Sequence, residues 1–129
     1  MIFIDSSFFI ALILENDQWH GKALKLIPKL EKSQKMVSGL IISEAVTIVG
    51  SRAGGKAGKM IYDTIKDNCK IVDSDLSHYD SAIYTFLKYD GTLSLTDSVS
   101  VEIMKTFNIS KIVSFDSDFD KVNGINRIY

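Results

Sequence analysis

The sequence predicts an α/β domain, with a mostly parallel central sheet of four to five strands and helices on both faces. Three observations predict it. Short apolar runs of about four residues alternate with longer stretches of helical periodicity. Strands and helices in such alternation build parallel βαβ units. The chain also has 129 residues, 46% hydrophobic and 24% charged, which suits one core and one domain over residues 1–129.

The elements follow in order. Residues 1–4 read as a buried strand, ended by Asp5-Ser6-Ser7, whose side chains suit a helix cap. A very apolar helix is expected over 8–14. Residues 17–33 read as an amphipathic helix, with Ala23, Leu24, Ile27 and Leu30 set apart from lysine-rich positions. Pro28, the one proline, is expected to kink or split it. Residues 35–38 form a short strand, and 43–51 a helix carrying Glu44. Gly54-Gly55 marks a break before a helix over 56–68. A strand over 69–72 follows, then a helix over 77–89, with Ser77 and Asp80 at capping-box spacing. Asp90-Gly91 is a turn. A helix over 97–107, a strand over 112–115 and an edge strand over 125–128 complete the chain.

Composition excludes several classes. One cysteine, Cys69, cannot make an internal disulfide, so nothing calls for an oxidising compartment. It is read as a small buried residue at a strand start. No basic region precedes the first apolar stretch, and Asp5 interrupts that stretch, so a secretory signal is not expected. No apolar run reaches the roughly 18 residues of a membrane helix. A cytoplasmic protein is the default. The net charge is −1, from 15 Lys+Arg against 16 Asp+Glu, without the basic excess that advertises nucleic-acid binding. Lys22, Lys25, Lys29 and Lys32 share one helix face, best read as solvated surface.

Four acids stand out. Asp5 ends the first strand, Glu44 lies in Gly39-Leu40-Ile41-Ile42-Ser43-Glu44-Ala45-Val46, Asp97 in Leu93-Ser94-Leu95-Thr96-Asp97-Ser98, and Asp116 follows Lys111-Ile112-Val113-Ser114-Phe115. Each is set in apolar sequence, where an unpaired charge is costly. Parallel sheets bind ligands outside the carboxyl ends of their strands, where Asp5 and Asp116 fall, and the helices of Glu44 and Asp97 would start from the same edge. Four clustered acids need a cation. An all-oxygen set without nearby His or Cys suits Mg²⁺ or Mn²⁺ rather than Zn²⁺, and hence metal-assisted phosphodiester chemistry. Ser6, Thr96 and Ser114 are expected to orient ligands or waters.

These motifs resemble those of PIN-domain ribonucleases. The resemblance runs from Met1 to Tyr129 and rests on Ile4-Asp5-Ser6-Ser7, Ile42-Ser43-Glu44, Leu95-Thr96-Asp97-Ser98 and Ser114-Phe115-Asp116-Ser117-Asp118-Phe119. It implies a PIN-like three-layer fold, with Asp5, Glu44, Asp97 and Asp116 holding Mg²⁺ or Mn²⁺. Asp118 is a further candidate metal ligand. It also implies endonucleolytic cleavage of RNA, often by a homodimer. The compact prokaryotic members include VapC-type toxins, which a small antitoxin silences. Ser98 stands where the family commonly has Ala.

Rival readings remain. Asp5 and Asp97 alone could be helix caps, Glu44 an exposed helix residue and Asp116 a turn former. Gly50-Ser51-Arg52-Ala53-Gly54-Gly55-Lys56-Ala57 nearly matches a phosphate-binding P-loop, but Ala57 replaces the Mg²⁺-binding hydroxyl. Arg52, Lys56 and Lys59 are instead candidate contacts to RNA phosphates or an antitoxin, or plain surface charges. An EF-hand around Asp116-Ser117-Asp118 fails, because Lys121 takes its glycine position and Arg127 its glutamate position. His20 and His78 read as surface or capping residues, and Trp19 as a packing residue rather than a base-stacking platform. The non-enzymatic alternative is a PIN-like scaffold that binds RNA or protein. The helix over 8–14 and the Met60/Tyr62 region are candidate dimer surfaces.

Overall fold

The computed structural model describes residues 1–129. Five strands, β1 (Ile2–Ile4), β2 (Lys35–Ser38), β3 (Lys70–Val72), β4 (Lys111–Val113) and β5 (Asn126–Ile128), form one sheet in the order β3-β2-β1-β4-β5. All four pairings are parallel, so the sheet is wholly rather than mostly parallel. The helices are α1 (Ser6–Ile13), α2 (His20–Glu31), α3 (Gly39–Ala53), α4 (Gly55–Asn68), α5 (Leu76–Lys88) and α6 (Leu95–Thr106), with a short 3₁₀ turn at Ser117–Lys121.

The strand order explains the layers. The chain steps outward from β1 to β2 to β3, then crosses back to β4. Parallel crossovers keep one hand, so reversing direction moves the connecting helices to the other face. Accordingly α1 packs on α2, α3 and α4, while α5 packs on α6. Phe3, Ile4, Met36, Val37, Ile112 and Val113 are fully buried between the layers. Strands covered on both faces read as continuous apolar runs, as these do.

The helix ends differ from the expected ones for local reasons. Helix α3 starts four residues early, at Gly39, because the Ser38 hydroxyl accepts the Ile41 N–H as an N-cap. Gly54, at φ 94°, ends α3 and starts α4 in a backbone state that favours glycine. This helix–glycine–helix passage has no strand before it, which rules out the P-loop. Pro28 does not split α2 into two helices: it lies in the last turn of a single helix, on its exposed side. The α5 capping box is Asp75 and His78, not Ser77 and Asp80: Asp75 Oδ1 accepts the Ser77 and His78 N–H groups, and His78 Nδ1 accepts the Asp75 N–H. Cys69 sits just before β3, and burial pushes its thiol up to about 11. Such a thiol is unreactive near neutral pH. Residues 8–11 of α1 are buried in the core and offer no free dimer surface, whereas Met60 and Tyr62 are exposed.

Candidate functional site

The central strand β1 lies where the chain's direction across the sheet reverses, with β2 on one side and β4 on the other. Such a switch point leaves a crevice beyond the strand ends. Asp5 leaves β1 there, and Ser114 and Asp116 leave β4. Asp5, Glu44, Asp97, Asp116 and Asp118 line a single cleft of about 450 Å³. Four separate chain segments thus bring their acids together as expected.

Asp5 is the deepest, at 4% exposure. It holds the N-cap position of α1, but its side chain makes no capping hydrogen bond. Instead, the Ser7 and Ser114 hydroxyls both donate to its Oδ2, at 2.7 and 2.8 Å. Each hydroxyl is itself oriented by a backbone donor. The Phe115 N–H donates to Ser7 Oγ and the Asp116 N–H to Ser114 Oγ, both at 3.0 Å. Burial raises the Asp5 pKa, the two hydroxyls oppose that rise, and Glu44 adds to it. Ser114 is therefore a buried buttress of Asp5. Ser7 does the same work and was not among the expected supporting residues, although its place two residues after Asp5 was the available signal.

Asp97 lies in the first turn of α6. The cap is Ser94, whose hydroxyl accepts the Asp97 N–H at 3.0 Å, so the Asp97 carboxylate is not needed there. Burial pushes its pKa up to about 7, and Asp5 and Asp116 push in the same direction. Glu44 departs from expectation in one respect. Apolar neighbours in sequence do not bury it, because the helix turns it to the exposed rim. There it accepts a hydrogen bond from the Ser6 hydroxyl. Asp116 caps the 3₁₀ turn by accepting the Asp118 N–H at 2.9 Å, so the turn-forming reading holds beside the cleft-lining one. Asp118 also pairs with Lys121 at 2.9 Å. Thr96 does not line the cleft. Its carbonyl accepts the Ser100 hydroxyl at 3.2 Å.

The donor set fits a hard cation: every side-chain donor is a carboxylate or hydroxyl oxygen, and no cationic side chain lines the cleft. As they stand, no three acids converge closely enough to share an ion directly. Mg²⁺ keeps several waters and takes only one or two carboxylates directly. Lys59 is spent on Asp63 at 2.6 Å on the surface. Lys56 is exposed and away from the cleft. Arg52 lines a neighbouring cleft.

Several solved structures share this fold at low sequence identity. VapC20 of Mycobacterium tuberculosis, described as a sarcin–ricin-loop-cleaving toxin, superposes with a TM-score of 0.87 at 23% identity, covering 95% of each chain. A chain of VapBC2 from Rickettsia felis, solved with promoter DNA, gives 0.70 at 12% identity, covering 99% of this chain and 98% of its own. FitAcB of Neisseria gonorrhoeae gives 0.68 at 11%, covering 100% and 97%. No curated protein matches in sequence. The PIN domain family matches over residues 2–125, nearly the whole sequence, and the chain belongs to that family.

Proposed function

We propose that residues 1–129 act as one metal-dependent endoribonuclease domain, the toxin of a toxin–antitoxin pair. The observation that carries this reading is the meeting of Asp5, Glu44, Asp97 and Asp116 in one cleft, with Asp97 raised to about 7 by burial and its acidic neighbours. Perturbed acids in a cleft mark functional sites. The antitoxin partner is argued from the likeness to a Klebsiella pneumoniae toxin–antitoxin complex.

In this reading Asp5, Glu44, Asp97 and Asp116 hold Mg²⁺ or Mn²⁺, with Asp118 at the margin. When bound, the ion polarises a phosphodiester and supplies an activated water for in-line attack. Ser7 and Ser114 fix the Asp5 carboxylate through their donated hydrogen bonds, and Ser6 fixes Glu44. Without the cation, Asp97 is held up at about 7 by burial and its acidic neighbours; a bound cation would favour its ionised, ligating form. Leu76, Ile83, Tyr84 and Leu87 form an exposed apolar ridge on α5. Such ridges mark interaction surfaces, which supports an assembly: a homodimer with an antitoxin, working in the cytoplasm. No helix is long and apolar enough to cross a membrane.

The test is cleavage of single-stranded RNA by antitoxin-free protein in EDTA, Mg²⁺ and Mn²⁺. Cleavage only with metal is expected. Absence of cleavage across a panel of single-stranded and structured RNAs, with the protein folded, favours the non-catalytic scaffold.

A further inference from the structure

A second cleft, of about 250 Å³, adjoins the acidic one and shares Ser7, Ile10 and Asp116 with it. Its own walls are Trp19, Phe115, Ile48 and Arg52. Trp19 is anchored flat on Phe115, with ring centroids 5.3 Å apart and planes 3° apart. Lys22 Nζ stands 5.1 Å from the Trp19 ring centre. Arg52 is exposed and enters no ion pair. The other arginine, Arg127, is held by both oxygens of Asp120. Two carboxylates also line this cleft, Asp17, which accepts the Trp19 N–H, and Asp116, which accepts the Asp118 N–H. Arg52 is its one cation and is within ion-pair distance of neither.

Helix α3 joins the two clefts. Glu44, Ile48 and Arg52 recur every four residues and so share a face. Glu44 lines the acidic cleft, and Ile48 and Arg52 line its neighbour. At a rise of 1.5 Å per residue, Arg52 lies about 12 Å along the helix from Glu44.

We propose that this second cleft is a subsite for one unpaired nucleotide of the RNA strand, next to the bond placed in the acidic cleft. Arg52 takes a phosphate and the Trp19–Phe115 wall takes the base. A guanidinium suits phosphate geometry, and aromatic walls accept any base face. The volume is near the roughly 300 Å³ at which small-ligand sites begin, enough for one nucleotide rather than several. Lys22, exposed between the Trp19 and Tyr129 rings, is placed to meet a second phosphate. The inference rests on the nuclease reading for its substrate.

Trp19 is the only tryptophan, so its emission reports on this cleft directly. The experiment titrates a labelled single-stranded oligoribonucleotide into Asp97→Asn protein in EDTA. Trp19 emission and RNA anisotropy are read together, with Arg52→Gln and Trp19→Ala compared in the same background. The expected result is a saturable change in emission that tracks anisotropy. Arg52→Gln should weaken binding about tenfold and lower the salt slope by about one. Trp19→Ala, checked for folding, should weaken it by a similar factor. Binding with unchanged emission and full affinity in Arg52→Gln overturns the subsite and leaves the cleft to an acidic protein segment. No RNA binding at all also overturns it. The nuclease reading is judged separately. Metal-dependent cleavage by wild type alongside unaltered Arg52→Gln binding sinks the subsite alone, and Trp19-reported binding without cleavage under any metal sinks the nuclease alone.

Discussion

Asp97 and the serines around Asp5 carry the predictions at residue scale. Without a cation, the folded chain keeps a proton on Asp97 up to about pH 7, while the unfolded chain releases it near pH 4. The folded state binds more protons in that window, so this contribution to stability is fully present below about pH 4 and is lost as pH rises towards 7. Burial moves Asp5 in the same direction. In EDTA, the melting temperature should fall across this window, and the fall should flatten in Asp97→Asn. At neutral pH in EDTA that variant should melt about 2–8 °C above wild type, the shift produced by roughly 1 kcal/mol in a domain of this size. Thermal melts across pH check both. RNA cleavage by the same variant should drop at least about 10²-fold. Ser114→Ala leaves every metal-facing acid in place and removes one support of Asp5. Partners behind a metal ligand typically matter about 10–100-fold, so an equal loss in cleavage rate or metal affinity is expected from titration kinetics. Ser98 Oγ is buried without a partner. Ser98→Ala should therefore raise stability by about 1 kcal/mol in denaturant unfolding.

Helices and strands show where sequence reading works. Strands β1 and β4 were legible because burial on both faces makes them short apolar runs. The start of α3 was not. Gly39-Leu40-Ile41-Ile42 has no helical periodicity, and the helix begins there because of one hydroxyl cap on Ser38. The exposure of Glu44 was missed for a related reason: apolar neighbours in sequence do not share its face once the segment coils. The meeting of α3 and α4 was equally hidden. A Cβ on Gly58 would lie 3.2 Å from the Val46 carbonyl oxygen and 3.4 Å from Gly50 Cα. Backbone cannot yield as a flexible side chain does. Gly58→Ala should therefore cost about 1–3 kcal/mol in denaturant unfolding. Because α3 carries Glu44, it should also lower cleavage. Unchanged stability would show that the two helices part freely.

For the whole molecule, the sequence order of the four acids anticipated their meeting, because α/β topology sends strand ends to one edge. The strand order itself was not legible, since long-range pairing sets it and no local signal encodes it. The second cleft was hidden for the same reason: Trp19, Arg52 and Phe115 are far apart in sequence and meet only through packing of the start of α2, α3 and the end of β4. The account depends on the acidic cleft being a cation centre. Calorimetric titration of Mn²⁺ into metal-free protein near pH 7.5, for wild type and Asp97→Asn, tests this most directly. Saturable binding by wild type, weakened at least tenfold in Asp97→Asn and released as pH falls below about 7, is the predicted result. Absence of binding by folded wild type, or equal binding by the variant, would contradict the account.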